Sequence, residues 1–305
     1  MIIDAHCDVL LKIWERNISF FDSEELQVNY VNWKKSPVKV QCFAIFVPEE
    51  VPEERQFHSA LEMVNIFYKK IIDPYPDIKM IRSKEDILSL KEQEKGAILT
   101  LEGCHSIGRD ISKMETFIQL GVKAVGLTWN QSNAVADGIL EKRGAGVSSF
   151  GEEIIDLLNK AKVWTDLSHI SYKGFFDAVE LADYPMASHS NAKKLASHPR
   201  NLDDRQIHKL IEKNGWIGVT FEPDFIKDGP NPSYKDVFYH IDYFLQMGAE
   251  KCLGFGSDFD GTTGPTLRLN NQLDYDYLLD GLPHFCSREQ IEYITHRNFI
   301  EKFPD

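Results

Sequence analysis

The chain has 305 residues, 43% hydrophobic and 27% charged, an ordinary globular balance at a length that suits two small domains or one large α/β barrel. Asp plus Glu outnumber Lys plus Arg by 47 to 34, for a net charge of −13, and no basic stripe or polybasic tail is visible, which argues against nucleic acid or an anionic membrane as partner. Five scattered cysteines (Cys7, Cys42, Cys104, Cys252 and Cys286) form no C-x-x-C pair, no apolar run nears the roughly 18 residues of a span, and neither signal peptide nor hydrophobic tail is evident, so a cytoplasmic protein with reduced thiols is expected.

In chain order the pattern is a short apolar strand, a polar loop and an amphipathic helix, repeated. Strands are expected at Ile2–His6, Val40–Val47, Ala97–Glu102, Ala124–Trp129, Val163–His169, Met186–His189, Trp216–Glu222 and Cys252–Asp258. Between them, Phe57, Leu61, Val64, Tyr68 and Ile71 share one helical face, as do Phe150, Ile154, Leu157 and Ala161. Ser149 with Glu152, Ser233 with Asp236, and Ser287 with Gln290 have the spacing of helix starts, and Gly248 that of a helix stop. Eight strands alternating with helices imply parallel pairing and right-handed crossovers. A (β/α)8 barrel forming one domain over residues 1–305 is the first choice, and an open doubly wound sheet the second.

Chemistry in a barrel sits at the C-terminal ends of the strands, and six of the eight expected ends carry polar groups suited to it. His6 and Asp8 lie two apart, so on a strand they would project from one face, with Cys7 turned away. Alone, His-x-Asp is better read as a hydrogen-bonded polar strand end. The odds change because Glu102 closes an apolar run in which an unpaired carboxylate would be costly, and His169 and His189 end strands one βα unit apart. Three imidazoles and two carboxylates suffice for two divalent ions if one carboxylate bridges, the ions then standing roughly 3.5–4 Å apart. Asp258 ends a glycine-flanked strand, where it can exchange protons with a metal-bound water; the neighbouring Asp260-Gly261 pair fits a turn instead.

Together the motifs Asp4-Ala5-His6-Cys7-Asp8, Glu102-Gly103-Cys104-His105-Ser106, Leu127-Thr128-Trp129-Asn130, Asp166-Leu167-Ser168-His169, Ser188-His189-Ser190, Pro199-Arg200-Asn201 and Gly254-Phe255-Gly256-Ser257-Asp258-Phe259-Asp260-Gly261 span nearly the whole chain. The chain resembles the membrane (renal) dipeptidases of the amidohydrolase superfamily. That resemblance implies two Zn²⁺ ions, one on His6 and Asp8, the other on His169 and His189, with Glu102 bridging. It implies that Asp258 is the acid/base, that Arg200 receives the substrate's terminal carboxylate, and that a hydroxide bridging the ions attacks the peptide bond. It favours small dipeptides, including those with a D-residue on the C-terminal side, and a homodimer. Three departures stand out. Trp129 occupies the place of a histidine thought to help bind the reacting carbonyl, and Glu222 aligns with a substrate-proximal tyrosine. The secretion signal and lipid anchor of the mammalian enzymes are missing, which suggests a bacterial intracellular relative.

Two rival readings remain open at this point. One is a different amidohydrolase (a lactonase, deaminase or cyclic-amide hydrolase); the other is a non-catalytic zinc-binding scaffold, against which the presence of Asp258 counts. The other histidines read as structural, although His105, three residues past Glu102, and His198, beside Pro199-Arg200, lie near enough to the motifs to serve the site.

Overall fold

Short runs rich in Val, Ile, Leu and Phe, buried on both faces, are what a parallel sheet wrapped by helices requires, and the structure, a computed structural model describing residues 1–264 and 266–305, uses them so. Among the described residues the strands are β1 (Ile2–Asp4), β2 (Val38–Phe46), β3 (Ile78–Met80), β4 (Lys95–Glu102), β5 (Val122–Gly126), β6 (Trp164–Asp166), β7 (Pro185–Ala187), β8 (Trp216–Val219) and β9 (Leu253–Phe255). All strand pairings are parallel. Because β1 pairs with both β2 and β9, and β2 pairs with β4, eight strands close into a ring with helices between them. This is the expected (β/α)8 barrel, and the open sheet is excluded.

Two expectations need correction. The strand β3 was not foreseen; it lies outside the ring beside the first residues of β4, below the point where β5 begins to pair at Leu99. Several strands also end earlier than their sequence suggested, at Asp4 rather than His6, Asp166 rather than His169, Ala187 rather than His189, Val219 rather than Glu222, and Phe255 rather than Asp258. The polar residues past those ends belong to the loops. His169 and Asp258 take left-handed backbone angles, φ of 70° and 65°, which no strand residue can adopt and which are uncommon outside glycine.

Helix starts behave largely as spaced. Asp236 and Gln290 form capping boxes with Ser233 and Ser287, while the helix Ser149–Ala161 is capped by Ser148, not Ser149. Its buried face is Phe150, Ile154, Ile155 and Leu158, so the helix is rotated slightly from the expected stripe. The first helical stripe is continuous from Glu53 to Ile72, its last turns widened to a π-helix, and Gly248 follows the helix Tyr234–Gln246 with φ of 88°.

Packing falls into two cores. A large one lies between strands and helices. A smaller one fills the barrel itself with Ile3, Val40, Cys42, Ile98, Ala124, Trp164, Met186 and Trp216, and is closed at the N-terminal base by Phe299 and Phe303. Trp164 contacts both of those phenylalanines, at ring distances of 4.7 and 4.9 Å. Gly254 is required beside Trp216, since a Cβ there would collide with the indole. With the base plugged by aromatic rings, the buried polar side chains His6, Glu102, His169 and His189 gather at the opposite mouth.

Candidate metal centre

Glu102, the last residue of β4, points its two oxygens to different neighbours at that mouth. Oε2 lies 3.4 Å from His6 Nε2, and Oε1 lies 2.9 Å from His169 Nε2 and 3.7 Å from His189 Nε2. The two latter nitrogens are themselves 2.9 Å apart. Asp8 Oδ2 stands 3.3 Å from His6 Nε2 and Asp258 Oδ1 stands 3.8 Å from it. Five of the six residues are buried, and the Asp258 side chain is only slightly more open, at 13%. His6 and Asp8 do converge as expected, but not by strand alternation, because Asp8 is already the residue before the helix Val9–Arg16. Cys7 is buried and pairs its backbone with Phe259, away from the cluster.

Hydrogen counting shows what the cluster lacks. His169 Nδ1 donates to Asn130 Oδ1 at 2.8 Å, which leaves a bare lone pair on Nε2. Ser188 Oγ donates its one hydrogen to Asp166 and so accepts from His189 Nδ1 at 2.7 Å, which leaves His189 Nε2 bare as well. Two nitrogen lone pairs and a carboxylate oxygen therefore face one another with no hydrogen between them. Beside them, His6 Nε2 and Asp8 Oδ1 are buried without any hydrogen bond. Buried acceptors turned on one another are costly, and a divalent cation is the group that satisfies them. The donor set of imidazole and carboxylate suits Zn²⁺, and donor atoms of His6, Glu102 and His189, and of His6, Asp8 and Asp258, lie within 4.8 Å of one another.

Electrostatics agree with that crowding. Burial pushes His169 down to about 3 and His189 well below the ordinary imidazole range, with the Arg200 charge adding to both. Burial also acts against a charge on His6, but the Glu102 and Asp8 carboxylates outweigh it and hold the imidazole well above its usual value. Asp8 is raised to about 6 by burial and the Glu102 charge, and Asp258 well above the usual carboxylate range by burial and then by Asp8 and Glu102, against the pull of His6. For Glu102 burial is overcome by His6 and His169, and the carboxyl stays well below its ordinary value.

A cavity of about 280 Å³ opens from the cluster to solvent, and Trp129, Arg200 and Glu222 all line it. Arg200 is 5% exposed, and its guanidinium donates to the His189 carbonyl, at 3.3 Å, and lies 5.3 Å over the Phe225 ring. Asp203 and Asp204, the obvious surface partners, instead cap a helix and accept from Tyr243. Arg200 Nε makes no hydrogen bond, and burial lowers the guanidinium to about 10. Trp129 packs against Phe46, 5.1 Å between rings, on the cavity wall and not in the barrel interior. Glu222 reaches the cavity with both oxygens accepting from Thr263, which ties down the loop after β9.

His105 is not part of the centre: it binds the Val47 carbonyl at 2.7 Å. His198 does line the cavity, stacked on Phe225. Asn130, Asp166 and Ser188 were visible within motifs, but nothing in the sequence said that they orient His169 and His189. Asp260 lies in the expected turn, with φ of 70°, and is also a buried anchor that accepts from Lys12 and from the amides of Gln27 and Val28. Gly261 is needed where it is, since a Cβ would collide with the Asp8 carboxylate.

Residues 1–304 match the membrane dipeptidase family, peptidase family M19. The chain is 28% identical to an uncharacterized dipeptidase of Schizosaccharomyces pombe, over 85% of this chain and 69% of that protein. It is also 28% identical to the dipeptidase aclJ of Aspergillus oryzae, over 100% of this chain and 78% of the relative. Its fold is that of a metallo peptidase from Rhodobacter sphaeroides, solved with a phosphinate mimic of the dipeptide L-Ala-D-Ala, with a TM-score of 0.92, 23% identity and coverage of 99% and 98% of the two chains. No helix among the described residues is long and apolar enough to cross a membrane.

Proposed function

This chain belongs to the membrane dipeptidase family and is a metallo-dipeptidase, and we propose that it hydrolyses small dipeptides, of L,L and L,D configuration, with two Zn²⁺ ions. The observation that carries the two-ion reading is the division of the Glu102 carboxylate, one oxygen toward His6 and the other toward His169 and His189. His6 and Asp8 would hold one ion, His169 and His189 the other, and Glu102 would span them. Zinc in such a site supplies a water nucleophile at neutral pH and Lewis-acid polarisation of the scissile carbonyl.

The chain's own residues supply the remainder. Asp258, beside His6 and Asp8 at the cavity floor, carries the proton from the attacking water to the leaving amine. Arg200, buried and without a carboxylate within 4 Å among the described residues, grips the substrate's terminal carboxylate in a bidentate manner that Lys cannot copy. Trp129 forms the wall in place of the family's histidine, and Glu222 shapes the far side of the pocket. All 305 residues act as one barrel domain, in a cytoplasmic homodimer with no nucleic-acid or membrane partner; the net charge of −13 supports the nucleic-acid part of that statement.

The test combines elemental analysis of Zn²⁺-loaded protein with a panel of L,L and L,D dipeptides and their C-terminal amides. About two zinc ions per chain, cleavage of free acids and rejection of amides are expected. A firm value of one ion with full activity removes the bridging role of Glu102. Equal turnover of acids and amides removes the Arg200 clamp and favours another amidohydrolase activity.

A further inference from the structure

The cavity has two unlike walls. On the side of β7, β8 and β9 it is mostly polar or charged, with His198, Arg200, Glu222, Asp224 and Thr263 around the one Phe225 ring. On the side of β1, β2 and β5 it is apolar: Leu11 from the first helix, Phe46 at the end of β2, and Trp129 and Leu140 from the loop after β5. From this division we propose that the apolar wall is a subsite for a large apolar or aromatic side chain on the amino-terminal residue of the dipeptide. The inference rests on the dipeptidase reading and on Arg200 as the carboxylate clamp.

With the carboxylate held by Arg200 and the scissile bond over the Glu102 cluster, the carboxy-terminal residue lies along the charged wall. The amino-terminal residue then extends across the floor to the opposite side, where Leu11, Phe46, Trp129 and Leu140 outnumber the polar Asn130. Trp129 and Phe46 present tilted rings 5.1 Å apart, an arrangement that accepts a third ring or a branched chain in contact. Leu140 is 50% exposed at the rim. An exposed leucine above a polar cavity loses its water contact when an apolar ligand arrives, so it favours apolar substrates.

This wall is held in place before substrate binds. Leu140 N donates to the Asn130 carbonyl at 2.9 Å and Ile139 N to the His169 carbonyl at 2.6 Å, which fastens the loop across two strand ends. Asp137 braces its far side by accepting from Arg143 Nε at 2.9 Å and from Ala145 N at 2.6 Å. A rigid apolar wall discriminates by size at little ordering cost. The Trp129 ring, 5.1 Å from Phe46 and 6.0 Å from His169, is what carries the wall from β2 to the loop after β5.

The experiment uses zinc-loaded full-length protein and the series Gly-Gly, Ala-Gly, Leu-Gly, Phe-Gly and Trp-Gly, whose common glycine removes stereochemistry from the comparison. We expect kcat/KM to rise at least tenfold from Ala-Gly to Phe-Gly. In Leu140→Asp, a change at an exposed position, and in Trp129→Ala, the Phe-Gly to Ala-Gly ratio should fall at least fivefold. Hydrolysis of all members at similar rates, preference for Gly-Gly or Ala-Gly, or an unchanged ratio in both variants overturns the subsite alone. Absence of hydrolysis across the whole series overturns the dipeptidase reading, and the subsite with it.

Discussion

His240 and His189 are both buried imidazoles, 0% and 1% exposed, yet they sit in opposite kinds of environment. In the helix Tyr234–Gln246, His240 accepts from the Ala192 amide at Nδ1, 3.1 Å, and donates from Nε2 to the Ile226 carbonyl, 2.8 Å, so its hydrogen bonding is complete. His189 is satisfied only at Nδ1, through Ser188, and its Nε2 faces His169 Nε2 and Glu102. Burial lowers both groups, His240 to about 4. A displaced titration therefore does not separate a packing histidine from a candidate ligand. The lone pair left over after hydrogen counting does.

The largest expected effect asks whether the mouth's chemistry can be removed while its capacity for metal is kept. Asp258→Asn should leave zinc content intact and lower kcat by roughly 10²–10⁴-fold, the usual contribution of a positioned acid/base. A variant with normal zinc and less than about tenfold loss in kcat shows that the proton moves elsewhere.

Next comes the satisfied histidine, whose effect should be on stability and not on metal. At pH above its ordinary value of 6.5, His240 is neutral in both folded and unfolded chains, and its contribution is fully present. As pH falls below 6.5 the unfolded chain takes up a proton that the folded site resists, and stability on the order of 3 kcal/mol is lost by the time pH reaches about 4. Urea unfolding of the wild type and His240→Gln between pH 7 and 4.5 should give curves that converge as pH falls, with zinc content equal in the two proteins. Parallel curves would mean that His240 is not resisting protonation.

The smallest effect probes the hydrogen count itself. Ser188→Ala removes the acceptor that fixes the His189 tautomer and should weaken zinc affinity by about 10–100-fold, the range for groups that orient metal-binding histidines. Competition with a chromogenic chelator measures it. The comparison sharpens if Ser188→Thr, which retains the hydroxyl, restores affinity, and breaks if Ser188→Ala binds zinc as tightly as wild type.

Much of this protein was readable in one dimension. The alternation of apolar runs with helical stripes implied the barrel, because a parallel strand buried on both faces must be followed by a helix that returns the chain. The residues at the mouth, His6, Asp8, Glu102, His169, His189 and Asp258, were readable from position alone, since polar groups closing apolar runs in a barrel gather at one rim.

Tertiary structure decided what no local pattern encodes. Strand ends depend on where neighbouring ladders part, so the residues past Asp4, Asp166 and Phe255 proved to be loop residues, and β3 formed only because the first part of β4 had a free edge. Asp8 meets His6 through a helix start, not by strand alternation. Which nitrogen of His189 is left bare depends on Ser188 and on Asp166, 22 residues from Ser188 in the chain. The apolar wall joins Leu11, Phe46 and the loop that carries Trp129 and Leu140 from three βα units, a grouping no single segment announces. Local sequence sets which groups reach the rim; the closing of the ring sets which of them touch.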